Sequence, residues 1–392
     1  MRVYLDNAAT TRISEAAKQA MTPFWDEIYG NPSSLHTFGQ AASNALQLAR
    51  ESIAKNLNAS PQEIYFTSGG SEADNQAIFS AARLGAKRGK KHLITSAIEH
   101  HAVLHPMMAL RDGGFELTIL PVQPETGFVR VDDLAAALRD DTALVSIMLA
   151  NNEVGTIQPI AEMTALCRAR KIPFHTDAVQ AVGHIPVDVR ALNADTLSLS
   201  GHKFHGPKGI GALYCRKGHP LQAYLLGGAQ ERNRRAGTEN LPAIAGMAAA
   251  LREAVDDIAE TAAHMTSLRD QLIAGLRQID RSHLNGDPMH RLPGNVNFCF
   301  EGIEGEALLL LLDTKGIAGS SGSACTSGSL EPSHVLLALG RPHEIAHGSL
   351  RLSLSRHTTQ EEVDYTLAQI YGIVDYLRKM SPVWERIMAE KN

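Results

Sequence analysis

The sequence predicts an α/β protein in which helices cover a mainly parallel β-sheet and a smaller α+β domain follows. Two observations favour this fold class. Between residues 60 and 215, short β-rich runs alternate with helical patterns, beginning with EIYFT and then SEADNQAIFSAARLGAKR. Within this region, ALVSIML at residues 143–149 is apolar on both faces, which is typical of a central strand in a parallel sheet.

The remaining elements follow in chain order. The alternation continues through the β-rich runs HLITS, FELTIL, ALVSIML, IPFHTD, DTLSLS and IGALYC. Apolar residues then recur at helical spacing over residues 241–279, with no proline after Pro242, which predicts one long helix linking two lobes. After it come NVNFCF, EALLLLLDTKG, a Ser/Gly loop, a helix that Pro332 could start, LRLSLS and a helical tail. We therefore place a large domain at residues 15–260 and a small domain at residues 1–14 and 261–392.

Composition excludes several classes of function. The 392 residues are 44% hydrophobic and carry a net charge of -5 with no basic run, so nothing supports a nucleic-acid partner. The N-terminal MRVYLDNAATTR has no apolar signal core, and the longest apolar run, residues 307–312, is too short to cross a bilayer. Four cysteines, at 167, 215, 299 and 325, form no CxxC pair. We expect a cytoplasmic protein with no membrane partner, no disulfide scaffold and no structural metal.

Polar residues follow several of the predicted strands. In YFTSGGSEADN, a strand runs into Gly70 and Ser71 and a helix follows, so backbone N–H groups there could hold a phosphate or carboxylate, although a plain turn is the simpler interpretation. Asn152 follows ALVSIML in NNEVG, where it could contact a ring hydroxyl or a substrate carboxylate. In IEHHAV, His100 could stack on a flat ring and pass protons, whereas His101 is expected to be a surface or capping residue.

Asp177 and Lys203 lie at the ends of two further strands. Asp177, in HTDAVQAVG, could cap a helix or could keep a pyridine nitrogen protonated. Lys203 lies 26 residues later in SGHKFHGPKG, beside Ser200 and His202 as candidate phosphate ligands. An aldehyde cofactor requires such an amine to form a Schiff base. Together the two residues begin to describe one site.

One motif favours a different class of enzyme. His343, Glu344 and His347 match HExxH, the signature of zinc proteases. That motif requires a long helix and a third ligand, and here Pro342 and Gly348 leave little room for such a helix. A zinc hydrolase is therefore the alternative from another class.

The segment SSGSACTSGS places Cys325 among small polar residues. A free cysteine usually packs as a small hydrophobe, but these neighbours offer no apolar pocket and favour a wet loop. The setting raises the question of what a thiol does in such a loop.

Eight motifs taken together resemble the cysteine desulfurases of the NifS/IscS class: YLDNAATT, FTSGGSEADN, IEHHAV, NNEVG, HTDAVQAVG, SGHKFHGPKGIGALY, RRAGTEN and SSGSACTSGSLEPSH. They occur in the same order and with similar gaps from residue 4 to about 359. The resemblance implies a fold-type I enzyme that uses pyridoxal phosphate, with a seven-stranded sheet in its large domain.

The resemblance also implies roles for individual residues. Lys203 would hold the cofactor as a Schiff base, Asp177 would pair with its pyridinium nitrogen and His100 would stack on the ring and assist proton transfer. Arg351 would bind the substrate carboxylate together with Asn152. The alternative interpretation of Arg351 is a surface arginine on a strand. The remaining contacts would come from Gln180 and Asn152 to the ring hydroxyl, from Gly70, Ser71, Ser200 and His202 to the phosphate, and from Thr238 of a second subunit.

The implied reaction converts L-cysteine to L-alanine. Cys325 would take the sulfur as a persulfide and pass it to an acceptor protein for iron–sulfur cluster assembly, and an iron–sulfur cluster could be bound transiently at that residue. The resemblance further implies a homodimer with shared active sites. A selenocysteine lyase or another class V enzyme would share Lys203 and Asp177 without needing a persulfide, and a scaffold or sulfur carrier would keep the thiol but no cofactor.

Overall fold

The computed structural model describes residues 1–321 and 331–389, so Cys325 lies outside the described residues. The strands in chain order are β1 (Val3–Tyr4), β2 (Ile64–Thr67), β3 (His92–Ser96), β4 (Glu116–Leu120), β5 (Thr142–Ser146), β6 (Phe174–Asp177), β7 (Thr196–Ser200), β8 (Gly211–Cys215), β9 (Ser282–Leu284), β10 (Asn295–Phe300), β11 (Ile317–Ala318) and β12 (Ser349–Ser353). The helices are α1 (Glu15–Met21), α2 (Pro23–Asp26), α3 (Thr37–Asn56), α4 (Gly70–Ala86), α5 (His101–Asp112), α6 (Val131–Ala137), α7 (Ile160–Ala169), α8 (Val189–Leu192), α9 (Gln230–Asn233), α10 (Leu241–Asp256), α11 (Ile258–Leu276), α12 (Gly305–Thr314), α13 (His334–Ala338), α14 (His343–Ala346), α15 (Gln360–Lys379) and α16 (Pro382–Ala389).

The central sheet has seven strands in the order β2-β8-β7-β6-β5-β3-β4. β8 runs antiparallel to both of its neighbours, and the pairs from β7 to β4 are parallel. The mainly parallel, seven-stranded sheet is therefore confirmed. ALVSIML is a strand only as far as Ser146, and its last three residues continue as buried chain at the sheet edge.

The position of the site follows from the direction of these strands. Every residue of β3, β5, β6 and β7 is buried, as expected for strands covered by helices on both faces. Because these strands are parallel, their carboxyl ends meet at one edge of the sheet. Asp177 and Ser200 are the last residues of neighbouring strands at that edge.

Two smaller sheets lie in the C-terminal part of the chain. One is three-stranded and antiparallel, in the order β12-β10-β9, and the other pairs β1 with β11 in parallel. The N-terminal strand therefore packs with the C-terminal region, and Val3 and Leu5 join a hydrophobic cluster that otherwise comes from residues 268–374. The division into domains at residue 260 stays a prediction.

Two details of the predicted helices are wrong. The helical pattern over 241–279 forms two helices, α10 and α11, because Asp257 between them leaves the helical region with φ −104° and ψ 12°. The helix expected to begin at Pro332 begins at His334 instead. Its N-cap is Ser333, whose hydroxyl accepts hydrogen bonds from the backbone N–H groups of Val335 and Leu336.

The HExxH match forms only one helical turn, α14, and the chain ends this helix before His347. A zinc-protease motif needs a longer helix that carries both histidines on one face. Over residues 1–321 and 331–389, no group of three or more histidine, cysteine, aspartate or glutamate side chains could hold a metal ion. No helix in these ranges is long and apolar enough to cross a membrane.

Candidate active site

A cavity of about 270 Å³ opens at the carboxyl edge of the central sheet. It brings together most of the residues that the sequence singled out, from elements spread over the whole chain. Its predicted lining residues are Gly70, Ser71, His100, Asn152, Asp177, Gln180, Ser200, His202, Lys203 and Arg351.

Lys203 lies in a short turn directly after β7. Its ammonium group donates hydrogen bonds to the carbonyl oxygens of Ala8 at 2.7 Å and Ala9 at 2.8 Å. Thr11 binds the same turn, because its hydroxyl donates to the carbonyl oxygen of His202. The N-terminal segment thus holds the lysine amine at the cavity.

Asp177 ends β6 and is only 5% exposed. Its Oδ1 accepts a hydrogen bond from the Val179 N–H at 2.8 Å. Burial raises the pKa of Asp177 to about 7, and the nearby Asp74 carboxyl raises it further. Asp177 thus stabilises the turn that follows β6 rather than the start of a helix, and its role towards a pyridine nitrogen stays a prediction.

His100 is the N-cap of α5, and its Nδ1 accepts a hydrogen bond from the Ala102 N–H at 3.1 Å. Burial lowers the pKa of His100 to about 4, and the positive charge of Lys203 contributes to this shift. The neutral ring therefore carries its proton on Nε2. The capping histidine is thus His100, whereas His101 is half-buried and stacks on His105 with ring centroids 4.6 Å apart.

The N-terminus of α4 forms one wall of the cavity. A Cβ atom at Gly70 would lie 2.6 Å from Cγ2 of Val179, so this position has no room for a side chain. Opposite it, His202 lies with Nδ1 3.1 Å from the Thr10 hydroxyl, and burial lowers the pKa of His202 to about 4. Backbone N–H groups of a helix start beside small and neutral polar side chains can accommodate a phosphate group.

Arg351 is a buried residue of β12, with 2% of its surface exposed, so the alternative of a surface arginine is wrong. Its Nη1 donates to the carbonyl oxygen of Asn152 and its Nη2 to Oδ1 of Asp6, each at 3.1 Å. Its Nε is buried without a hydrogen-bond partner among the described residues. An unsatisfied guanidinium N–H at the cavity is suited to bind a carboxylate.

Gln180 and Asn152 also lie at the cavity. Gln180 donates from Nε2 to the carbonyl oxygen of Ala8 at 2.9 Å. Asn151 shapes the turn before Asn152, since its Oδ1 accepts from the N–H groups of Glu153 and Val154. The side chain of Asn152 is thereby left to face the cavity.

One predicted residue lies elsewhere. Thr238 is exposed and does not line the cavity of its own chain. Cys325 lies outside the described residues.

The other three cysteines, Cys167, Cys215 and Cys299, are free and buried, and burial raises the pKa of their thiols to about 12, 12 and 11. Such thiols carry almost no thiolate at neutral pH and react poorly.

Sequence reasoning missed three cavity features. Asp74 lines the cavity, and the carbonyl groups of Ala8 and Ala9 bind Lys203. Both stretches were among the quoted motifs, in FTSGGSEADN and YLDNAATT, but no role was assigned to these residues. The sequence did contain a signal for Asp74, which is a carboxyl group in the first turns of a helix that follows a pair of glycines. The roles of Ala8 and Ala9 could not be predicted, because every residue has a backbone carbonyl group.

Comparison with known proteins places the chain among characterised relatives. A family model described as Aminotransferase class-V matches residues 3–366. The chain is 56% identical to "Cysteine desulfurase IscS" of Methanosarcina thermophila, over 97% of this chain and 94% of the relative. It is 50% identical to "Cysteine desulfurase NifS" of Azotobacter vinelandii, over 97% and 95%. A solved structure titled "NIFS-LIKE PROTEIN" is 42% identical with a TM-score of 0.90, over 96% of this chain and 100% of that chain.

Proposed function

Since the chain belongs to the class V aminotransferase family over residues 3–366, we propose that it is a pyridoxal phosphate-dependent cysteine desulfurase. The reaction removes sulfur from L-cysteine and releases L-alanine. The observation that carries the proposal is the meeting of Lys203, Asp177 and His100 in one cavity. Identities of 50–56% to relatives named cysteine desulfurase support the choice within the family.

The cavity residues fit pyridoxal phosphate. When bound, this cofactor supplies an aldehyde that condenses with amines and a ring that withdraws electrons from the substrate. The buried carboxyl of Asp177 at the cavity suits a protonated ring nitrogen, and the absence of room for a Cβ at Gly70 suits close approach of a phosphate group. The residues that would hold the cofactor are Lys203, Asp177, His100, Gln180, Asn152, Gly70, Ser71, Ser200 and His202.

Proton transfer is the task of Lys203 and His100. The Lys203 amine must leave the carbonyls of Ala8 and Ala9 and lose its proton before it can act as a nucleophile or a base. Because its pKa is lowered to about 4, His100 is neutral, and its Nε2–H can assist proton transfer by donating a hydrogen bond without the ring itself ionising.

Arg351 binds the substrate carboxylate in this proposal. Two of its nitrogens are fixed by Asn152 and Asp6, and its Nε remains to donate. Fixing the guanidinium before the substrate arrives reduces the entropy that binding would cost.

Cys325 receives the sulfur. Its thiolate attacks the substrate sulfur and the bond between that sulfur and the substrate Cβ breaks, so the enzyme is left with a persulfide. The electron pair of the broken bond stays with the carbon skeleton, whose Cβ takes up a proton before the skeleton leaves as alanine. The inert, buried setting of the other three thiols supports Cys325 in this role.

The protein acts as a homodimer in this proposal, and Thr238 reaches the phosphate of the partner's cofactor. Its exposed position outside its own cavity supports that role. A group of large apolar side chains in residues 25–38 supports association: Trp25 is 64%, Tyr29 66%, Leu35 92% and Phe38 53% exposed. The sulfur acceptor is an iron–sulfur scaffold or another sulfur-accepting protein, and the enzyme works in the cytoplasm.

Substitution of Cys325, the residue proposed to take the sulfur from the substrate, tests the function. Cys325→Ser should retain the visible absorption of the bound cofactor but release no sulfide from L-cysteine in the presence of a reductant. The wild-type protein should release sulfide and alanine in equal amounts. Sulfide release by Cys325→Ser at the wild-type rate would contradict the proposal and favour a selenocysteine lyase or another class V enzyme.

A further inference from the structure

A buried hydrogen-bonded pair lies behind Asp177. Asp74 belongs to α4, and His175 lies on β6 two residues before Asp177. Nε2 of His175 is 3.1 Å from Oδ1 of Asp74, and Nδ1 is 2.9 Å from the Thr196 hydroxyl oxygen. The side chains of His175 and Asp74 are 0% and 2% exposed. Burying two ionisable groups this deeply is costly unless each is satisfied by the other.

The protonation states of the two partners follow from their burial together with these hydrogen bonds. Burial lowers the pKa of His175 to about 4, so its ring is neutral at physiological pH. A neutral ring donates from one nitrogen and accepts at the other. Above its pKa of about 7 Asp74 is ionised, and every atom of the pair is then satisfied with Thr196 donating to Nδ1 and Nε2 donating to Asp74.

Asp74 and Asp177 share one cavity and therefore interact through their charges. Each carboxyl has a pKa raised to about 7, by burial and, for Asp177, by the charge of Asp74 as well. The other titratable groups that face them are Glu99, His100, His175 and Lys203. Of these, Glu99 is a neutral acid at physiological pH, because burial raises its pKa to about 8. Once ionised, above its pKa of about 7, Asp74 is a second carboxylate beside Asp177.

We propose that Asp74, held in place by His175, is a positioning residue whose charge adds to that of Asp177 and keeps the cofactor ring protonated. The inference rests on the proposed function, because it takes Asp177 as the partner of the ring nitrogen. A ring that loses its proton withdraws electrons less strongly and binds Asp177 less tightly. A second carboxylate nearby opposes that loss.

The test is cofactor retention as a function of pH. The holoenzymes of the wild type and of Asp74→Asn are equilibrated by dialysis from pH 6.5 to 9, and bound pyridoxal phosphate is measured by absorbance. We expect Asp74→Asn to bind the cofactor about tenfold more weakly at the alkaline end, corresponding to a shift of about one pKa unit, and to approach the wild type at pH 6.5. The position of the visible band over the same range gives a second readout.

Thr196→Val is the matched control. It removes the other hydrogen bond of His175 from an equally buried position but changes no charge. We expect its cofactor affinity to stay within about twofold of the wild type, with no dependence on pH beyond that of the wild type. Should Asp74→Asn not fold, Asp74→Ser, which also removes the charge, must show the same weakening towards alkaline pH.

Two results would overturn the inference: a constant ratio between the affinities of Asp74→Asn and wild type at every pH, or the same pH-dependent weakening in Thr196→Val. Either would assign the pair a purely structural role. Failure of the proposed function is a separate result, since it would appear in the wild type as no cofactor binding or no alanine formed from L-cysteine.

Discussion

At the scale of single residues, burial rather than residue type sets the chemistry of the cavity. His100 and Asp177 have pKa values of about 4 and about 7, and desolvation is the largest cause of each shift. One group is thereby kept neutral, and the other becomes ready to ionise when a cation arrives. Arg351 is buried in the same region, where its guanidinium donates hydrogen bonds to Asp6 and to the carbonyl oxygen of Asn152.

Substitution of Arg351 should affect substrate binding more than turnover. Lysine keeps the positive charge but loses the planar fork, so we expect Arg351→Lys to raise KM for L-cysteine about tenfold to a hundredfold with a smaller change in kcat. Steady-state kinetics measure both constants. The control is Arg356→Lys, because Arg356 pairs with Asp257 and Glu253 and does not line the cavity. An unchanged KM in Arg351→Lys would exclude this role.

The buried carboxyls should make the cofactor-free protein less stable as pH rises. Asp74, Asp177 and Glu99 titrate near pH 7 to 8 when folded but near 4 when unfolded, so the folded state binds more protons in this window. Their contribution to stability is complete below about pH 4 and is lost as pH rises through 7 to 8. Buried His100 and His175 act in the opposite sense, but only between about pH 4 and 6.5.

The free energy of unfolding should therefore fall between pH 6.5 and 8, by about 1 kcal/mol for each titrating carboxyl per pH unit. Urea denaturation of the cofactor-free protein at several pH values measures this slope. The slope should be smaller in Asp74→Asn. A free energy of unfolding that rises over this interval would contradict the assignment of the shifts.

At the scale of elements, the start of α4 determines how closely a ligand can approach the backbone. Gly70→Ala would place a Cβ 2.6 Å from Val179, so either the helix start or Val179 must move. We expect about a tenfold loss of cofactor affinity, measured by equilibrium dialysis. Gly372→Ala is the matched control, since a Cβ there in helix α15 meets nothing within 4 Å and should leave affinity unchanged. Equal affinities of the two variants would argue against close contact at Gly70.

The elements themselves were largely predictable, and the errors have local causes. The strands of the central sheet were found because buried β-rich runs and helical spacing differ clearly in period. The break at Asp257 was missed because apolar spacing continues through it, although an aspartate favours the end of a helix. The start of α13 was misplaced because Ser333 was the better N-cap and Pro332 precedes it.

At the scale of the whole molecule, the site depends on contacts between distant parts of the chain. Asp177 and Ser200 were each predicted to end a strand of a parallel sheet. Because the carboxyl ends of parallel strands lie at the same edge of a sheet, the two residues were expected to lie close together. Periodicity could not predict that the N-terminal segment binds Lys203 through Ala8, 195 residues away, or that β12 brings Arg351 to the same cavity. Arg351 was anticipated only through the family resemblance, and Asp74 was not anticipated.

The burial of Cys167, Cys215 and Cys299 predicts which cysteine of the folded protein reacts first with an alkylating reagent. Because Cys167, Cys215 and Cys299 are buried with raised thiol pKa values, we expect a single cysteine per chain to react rapidly with iodoacetamide at neutral pH. Mass spectrometry should locate the label on Cys325, and Cys325→Ser should take up none on the same timescale. Rapid labelling of any of the three buried residues would show that their surroundings open in solution.

The most direct measurement of the central claim is the visible absorption spectrum of the purified protein before and after addition of L-cysteine, with alanine and sulfide assayed together. A cysteine desulfurase built on Lys203 and Asp177 should show a yellow absorption band that shifts on adding L-cysteine while alanine accumulates, and Lys203→Ala should form no alanine. A protein that stays colourless after incubation with pyridoxal phosphate, or that forms no alanine, would contradict the account.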